Sequence, residues 1–454
     1  MSRAGSCWRK LAAIAVVPAL VLAGCGSSTP TPSSAATPTP AATTTPAPTP
    51  AAGLYVDAGA DQGPISPLIF GSNMGPWLAV PFDLQTQVAA AGVKTLTFPG
   101  GNWGDEYNLM DYQVDQFINY CRLIGAEPRI VARLKGGTAQ QAADLVKYAN
   151  VTKGYNVKYW GIGNEADLYS LGALPNYTVA KYNEEWREWA QAMRAVDSKI
   201  VLVGPDVSQF VADANGSSYM QTRIDWLTSF LHVNGDIVDI VSIHRYPFPT
   251  DTTGQLPTKD QLRHNSQEWD EIIPALRKII REQTNRDLPV AVTEVNSSWV
   301  ANSGGEATMD SLYNAIWFGD VLGRMIKQDV LMVDQFALAG GYGIVGRDAP
   351  YPMYYVYMMY QRFGSERLRA ASDDPLVQVY AARRADGTLT VMIVNLGSVP
   401  ATKPLTIVAG GAAASAETWL FDKDHTAQQI GATGLGGTIT VPRESMTLLV
   451  VAGN

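Results

Sequence analysis

Cysteine and histidine are both scarce in this 454-residue chain, and each scarcity removes a class of architecture or chemistry. Of the three cysteines, Cys7 and Cys25 precede the globular part and Cys121 stands alone within it. No internal disulfide can form there, so the fold must rest on its apolar core. The four histidines, His232, His244, His264 and His425, contain no H-x-x-x-H pair, which speaks against a zinc centre. No metal and no cofactor is expected. Basic residues are outnumbered by acidic ones, 34 to 42, and the formal net charge of −8 becomes −11 once residues 1–24 are removed with Arg3, Arg9 and Lys10. A chain so acidic is a poor partner for nucleic acid. What is plentiful is apolar side chain, 46% of residues, enough for a large domain and a smaller companion.

The N-terminus has its own pattern. Residues 1–10 carry the three bases, Leu11 to Ala23 form an apolar run of 13, and Leu22-Ala23-Gly24 places small residues before Cys25. This is a secretion signal, too short to span a bilayer. Leu22-Ala23-Gly24-Cys25 resembles the lipobox of bacterial lipoproteins, which implies cleavage before Cys25, lipidation of that cysteine, and an exported protein anchored to the outer face of the cell membrane. Gly26 to Ala52 consists almost wholly of Ser, Thr, Pro, Ala and Gly and cannot bury a core. It reads as a tether of about 80 Å at roughly 3.1 Å per residue. The expected segments are therefore 1–24, signal peptide, and 25–52, lipidated cysteine and linker.

From Pro67 onward, short β-rich runs alternate with helical patterns, the signature of βα repeats around a parallel sheet. The expected strands are Pro67–Ser72, Thr95–Phe98, Arg129–Arg133, Lys158–Gly163, Ile200–Val203, Ile237–His244, Val290–Glu294 and Val330–Phe336. Helical periodicity lies between them, as in Tyr182, Trp186, Trp189 and Met193, whose spacing makes a core stripe. Eight such units predict an α/β chain folded as a (β/α)8 TIM barrel over 53–364. Beyond Gly364 the pattern becomes helix-free alternation with an Asp386-Gly387 hairpin turn, which predicts an antiparallel β-sandwich over 365–454. Residues 53–58 are short, extended and close enough in pattern to complete that sandwich.

Chemistry in such barrels sits at the C-terminal ends of the strands. Two of those ends carry glutamates: Asn164-Glu165 after the fourth strand and Thr293-Glu294 on the seventh. Strands four and seven face each other across an eight-strand ring, so their tips converge over its mouth. Two carboxyls about 5 Å apart are what a glycosidase needs to cleave with retention, one protonating the leaving oxygen and the other attacking the anomeric carbon. Glu165 is expected as acid/base, with the raised pKa, and Glu294 as the ionised nucleophile. Asn164 is placed to donate to a sugar hydroxyl. Asn102, His244, Tyr246 and Asn296 stand at other strand ends, and Trp103 and Trp299 in post-strand loops offer indole faces to a sugar ring. Gly161-Ile162-Gly163-Asn164-Glu165-Ala166 also matches a dinucleotide fingerprint, but no helix is expected before Pro175 and Glu165 would repel a pyrophosphate.

These residues together resemble the clan A glycoside hydrolases, nearest to family 51 α-L-arabinofuranosidases and the related families 39 and 79. The resemblance is carried by Phe98-Pro99-Gly100-Gly101-Asn102, by Lys158 to Glu165 with Asp167 close behind, and by Thr293-Glu294, and it covers roughly residues 53–454. It implies a retaining hydrolase of poly- or oligosaccharides that uses no cofactor. One departure stands out: those families carry an arginine just before the Phe-Pro-Gly-Gly turn, and here the position is Thr97. Arg133 and Arg245 are the candidates to replace it. The alternative reading is a sugar-binding lipoprotein without catalysis. Sugar, linkage, exo or endo action and oligomeric state are not written in the sequence.

Overall fold

The first strand of the globular part, β1 (Leu54–Pro64), does not enter the barrel. In the computed structural model, which describes residues 52–76, 80–172, 174–248, 255–409 and 413–451, β1 joins the sheet formed by the C-terminal residues, antiparallel to one strand and parallel to another. The expected signal peptide, Cys25 and nearly all of the tether lie outside the described residues.

Eight parallel strands then close a barrel in chain order: β2 (Gly71–Asn73), β3 (Thr95–Phe98), β4 (Glu127–Ala132), β5 (Tyr159–Ile162), β6 (Val201–Val207), β7 (Ile240–Arg245), β8 (Val290–Val295) and β9 (Met332–Gln335). The first differs from expectation. Pro67–Ile69 form a 3-10 turn, with Pro67 at its start, where a missing N–H costs nothing, and the Ser66 hydroxyl accepting from Leu68 N at 3.2 Å. Only Gly71–Asn73 remain to pair as strand. Between strands, Thr138 and Thr178 cap helices Ala139–Val146 and Val179–Val196, and the stripe Tyr182, Trp186, Trp189, Met193 is buried, as its spacing predicts. Cys121 is a free, buried thiol. Among the described residues no helix is long and apolar enough to cross a membrane.

The C-terminal sheet adds β10 (Glu366–Ser372), β11 (Val377–Arg383), β12 (Leu389–Asn395), β13 (Ala401–Val408), β14 (Ser415–Phe421), β15 (Gln428–Gly434), β16 (Thr438–Val441) and β17 (Ser445–Val451). Its order is β15-β14-β17-β12-β11-β10-β1-β13-β16. Val391 and Leu449 in mid-sheet share one apolar cluster with Ala416 of β14 and Val441 of β16, so the sheet curls over itself as a sandwich. Strands β10 and β15 show no alternation to read, since Glu366–Ser372 is half-buried apart from the buried Leu368 and Gln428–Gly434 is almost wholly exposed. The helix Leu312–Lys327 is buried on every side from Tyr313 to Ile326, since it is covered by the barrel and the sheet at once. Glycine makes that approach possible: a Cβ on Gly323 would stand 2.2 Å from the Tyr380 ring and one on Gly319 would stand 2.5 Å from the Met446 sulfur.

Candidate active site

Strand β5 ends in backbone that lifts a carboxylate out of the barrel. Gly163 and Glu165 both take left-handed conformations (φ 74° and 44°), and a 3-10 turn, Ala166–Leu171, begins at once, with Leu168 N donating to Glu165 O at 2.8 Å. That turn was not expected before Pro175, although the next α-helix does begin later, at Val179. The geometry is fixed from below by Asp105, whose carboxylate accepts Asn164 N at 2.7 Å, Leu134 N at 3.0 Å, Lys135 N at 3.2 Å and the Tyr169 hydroxyl. One buried carboxylate thus ties together the loops after three strands. Asp167 does the same one loop on, accepting Ser208 N at 3.0 Å and pairing with Arg223 at 3.2 Å.

Glu294 comes from within β8, where the register slips between Val292 and Val295 and turns its side chain toward the mouth. Its Oε1 accepts Gly101 N at 3.1 Å and its Oε2 accepts the Tyr246 hydroxyl at 2.7 Å. His244 stands between the glutamates, Nδ1 3.1 Å from Glu165 Oε1 and 3.7 Å from Glu294 Oε2. One oxygen of each glutamate and the imidazole nitrogen all lie within 4.8 Å of one another. Around them is a cavity of ≈ 340 Å³ whose lining includes Asn102, Asn164, Tyr246 and the half-exposed Trp299. Asn164 Nδ2 donates to Asn102 Oδ1 at 3.1 Å, so the two amides form one hydrogen-bonded edge.

Burial lowers the pKa of His244, but the charges of Glu294, Glu165 and Asp206 and the hydrogen bond to Glu165 outweigh it and raise the value to about 9. The imidazole is therefore a cation at neutral pH. Glu294 is pushed up to about 7, first by burial and then, against the pull of His244, by the facing charge of Glu165. Glu294, expected as the ionised nucleophile, is thus a raised carboxyl in the resting site. The sequence weighs chemical roles; the unliganded site weighs burial, and Glu294 is the deeper of the two side chains, 7% exposed against 15%. Glu165, His244 and Glu294 are also the one trio of possible metal donors among the described residues, but a protonated imidazole is the cation that already balances the two acids.

Two of the expected substrate contacts lie elsewhere. Asn296 is fully buried and spends its amide on Phe336 O (2.5 Å) and Tyr342 O (3.3 Å), so it fastens one loop to the next. Trp103 sits on the short helix Trp103–Glu106 with its ring 5.6 Å from Tyr107 and 6.3 Å from Phe98, and does not line the cavity. The proposed replacements for an arginine at position 97 are engaged as well. Arg133 donates to Asp105 O and Lys135 O, and Arg245 pairs with Glu268 at 2.6 Å. Sequence reading missed three residues that line the cavity without a motif, Gln209 in the loop after β6, Tyr219 in the first turn of the helix Ser218–Asn234 and Tyr342 at the end of the 3-10 turn Gly340–Tyr342, and the buried Arg129 and Asp206 beneath it. The last two had no local signal, because a charge in a strand buried on both faces does not say which way it points.

A sequence model described as "Glycosyl hydrolase family 79, N-terminal domain" matches residues 121–323. The "Probable alpha-L-arabinofuranosidase C" of Aspergillus clavatus is 22% identical over 81% of this chain and 87% of its own length. Fungal relatives of the same name are matched over only about a third of their length. Among solved structures, the α-L-arabinofuranosidase of Thermotoga maritima in complex with arabinose aligns over 88% of this chain and 99% of its own, with a TM-score of 0.69 at 19% identity. A Paenibacillus polymyxa xyloglucanase of glycoside hydrolase family 44 aligns over the same shares with a TM-score of 0.69 at 16% identity. At such identities the structural likeness speaks for the barrel-and-sheet fold.

Proposed function

We propose that the protein, a glycoside hydrolase resembling the clan A enzymes, cleaves poly- or oligosaccharides with retention, using Glu294 as nucleophile and Glu165 as acid/base. The observation that carries this reading is the pair of carboxylate oxygens within 4.8 Å at the mouth of the barrel, the spacing of double displacement and too close for a water to attack between them. Glu294 attacks the anomeric carbon while Glu165 gives its proton to the leaving oxygen; Glu165 then takes a proton from water, which displaces Glu294 from the sugar. Gly101 N and the Tyr246 hydroxyl aim Glu294 by holding both of its oxygens. Burial holds a proton on Glu294 up to about pH 7, and an incoming glycosidic oxygen draws it to Glu165. The arabinofuranosidase relatives make an L-arabinofuranoside the first substrate to try. The test is turnover of aryl arabinofuranoside, xyloside, glucoside and glucuronide, followed by Glu294→Gly with azide. The expected product is a glycosyl azide of inverted configuration. No turnover by the wild type and no azide adduct would overturn the assignment.

The same reading extends to location. The lipobox-like Leu22-Ala23-Gly24-Cys25 supports an enzyme exported and tethered through lipid on Cys25 to the outer face of the cell membrane. Metabolic labelling with palmitate, expected in the wild type and lost in Cys25→Ala, tests it.

A further inference from the structure

We infer that Arg129, reaching in from β4, is the positioning residue that makes up for the missing cation at Thr97, acting on the catalytic pair through Asp206 and His244. The inference rests on the two-glutamate reading for its consequence in catalysis, though not for its first measurement.

The register places the substitute beside the gap. Thr97 on β3 and Arg129 on β4 are paired positions of adjacent parallel strands, and Arg129 Nη1 lies 3.5 Å from Thr97 Oγ1. Threonine leaves the interior open to the guanidinium, and so does Gly161 on β5, where a Cβ would come within 2.6 Å of Arg129 Nη2. Arg129 is only 1% exposed, and its Nη2 pairs with Asp206 Oδ2. A strand register slip around Pro205 and Val207 turns Asp206 inward, where its other oxygen accepts Thr293 Oγ1 at 2.6 Å and the Ser242 hydroxyl. That oxygen stands 3.9 Å from His244 Nε2, on the side of the ring opposite both glutamates. The order of charges from floor to mouth is therefore Arg129, Asp206, His244, then Glu165 and Glu294.

The sign of the coupling decides the role. Burial alone would protonate Asp206; Arg129 is the largest influence holding it ionised. Ionised Asp206 in turn helps keep the proton on His244, which bridges the two glutamates. The groups facing His244 are Glu165 after β5, Asp206 on β6, Glu294 on β8, Tyr246 through its contact with Glu294, and more distantly Asp334 on β9, which accepts Thr97 Oγ1 at 2.7 Å. Arg129 is the cation joined to this set, through Asp206. A guanidinium acting on His244 merely through space would lower the imidazole pKa. Acting through Asp206, it raises it.

The two cases separate in the imidazole titration of His244, followed by NMR in the full-length chain, which has only four histidines. Arg129→Met is expected to lower the His244 pKa by roughly one unit or more, and Arg129→Lys to recover part of that shift. Since a buried aspartate left unpaired can unfold the protein, Arg129→Met/Asp206→Asn, which removes both partners, is the companion variant and should show the same lowered value. A His244 pKa that rises or stays put in a folded variant would overturn the inference. In turnover, Arg129→Met should lower kcat by about 10- to 100-fold with KM nearly unchanged, and the alkaline limb of its pH profile should move. If the wild type hydrolyses no glycoside, the catalytic reading fails, and the titration still judges the coupling.

Discussion

The two ends of the barrel interior are built from the same strands and obey opposite rules. At the N-terminal end, Leu68, Tyr159, Val203, Ile240, Ala291 and Met332 form a wholly apolar cluster. Two residues further along the same inward columns, Ile240 gives way to Ser242 and then His244, Ala291 to Thr293, and Met332 to Asp334, all of them buried. Strand alternation makes these positions neighbours on one face, so the change is a change of layer and not of environment. The lower layer stabilises closure by removing apolar area from water. The upper layer brings charges out of water, which by itself opposes folding, and its ionic groups are retained where the reaction needs them.

The contrast can be broken most sharply at Glu294. Glu294→Gln should cut hydrolysis by about 10⁴-fold or more. It should also raise the Tm at pH 8, because a carboxyl whose folded pKa is raised to about 7 withholds stability as pH climbs above its unfolded value. Next in size is pH itself. kcat/KM should fall about tenfold per unit above about pH 7, as Glu294 loses the proton that the leaving oxygen needs. Stability from His244 falls with pH in the same sense but over a higher window: it is fully present below the unfolded value of 6.5 and is lost as pH rises through about 9, so His244→Gln should flatten the decline of Tm over that window. Tyr246→Phe removes a bond that holds the Glu294 pKa down, so kcat should drop by about tenfold and the alkaline limb should move upward. Smallest in activity is the lower layer. Met332→Ala should cost about 2–5 kcal/mol of stability by denaturant titration while leaving kcat/KM of the folded fraction within about twofold.

The two glutamates proposed for catalysis were legible because Glu165 and Glu294 stand at the ends of expected strands, and counting strands supplies their opposition. Asn164 and Tyr246 follow from the same strand ends, and the structure brings them to the cavity. The floor was not legible. Arg129 precedes Ile130 and Val131 in a strand buried on both faces, so nothing local says which way it points. Arg133, two turns of the pleat further on, was the natural candidate by position alone, and its guanidinium is instead held by loop carbonyls. Asn296 looked free because it follows a strand end, and only the carbonyls of Phe336 and Tyr342, some 40 residues away, reveal its task.

Strand β1 sets the order in which this chain can be finished. It leaves the ribosome first among the described elements, yet its partners on either side are Glu366–Ser372 and Ala401–Val408. Until roughly 300 residues have followed it, the strand has no place to pair, and contacts that distant in sequence close slowly. The barrel between them can assemble while β1 waits. Completing the sheet then joins β1 to strands that follow the barrel, so a chain that starts after Pro64 would keep only eight of the nine strands, split between β10 and β13, with two raw edges open to aggregation.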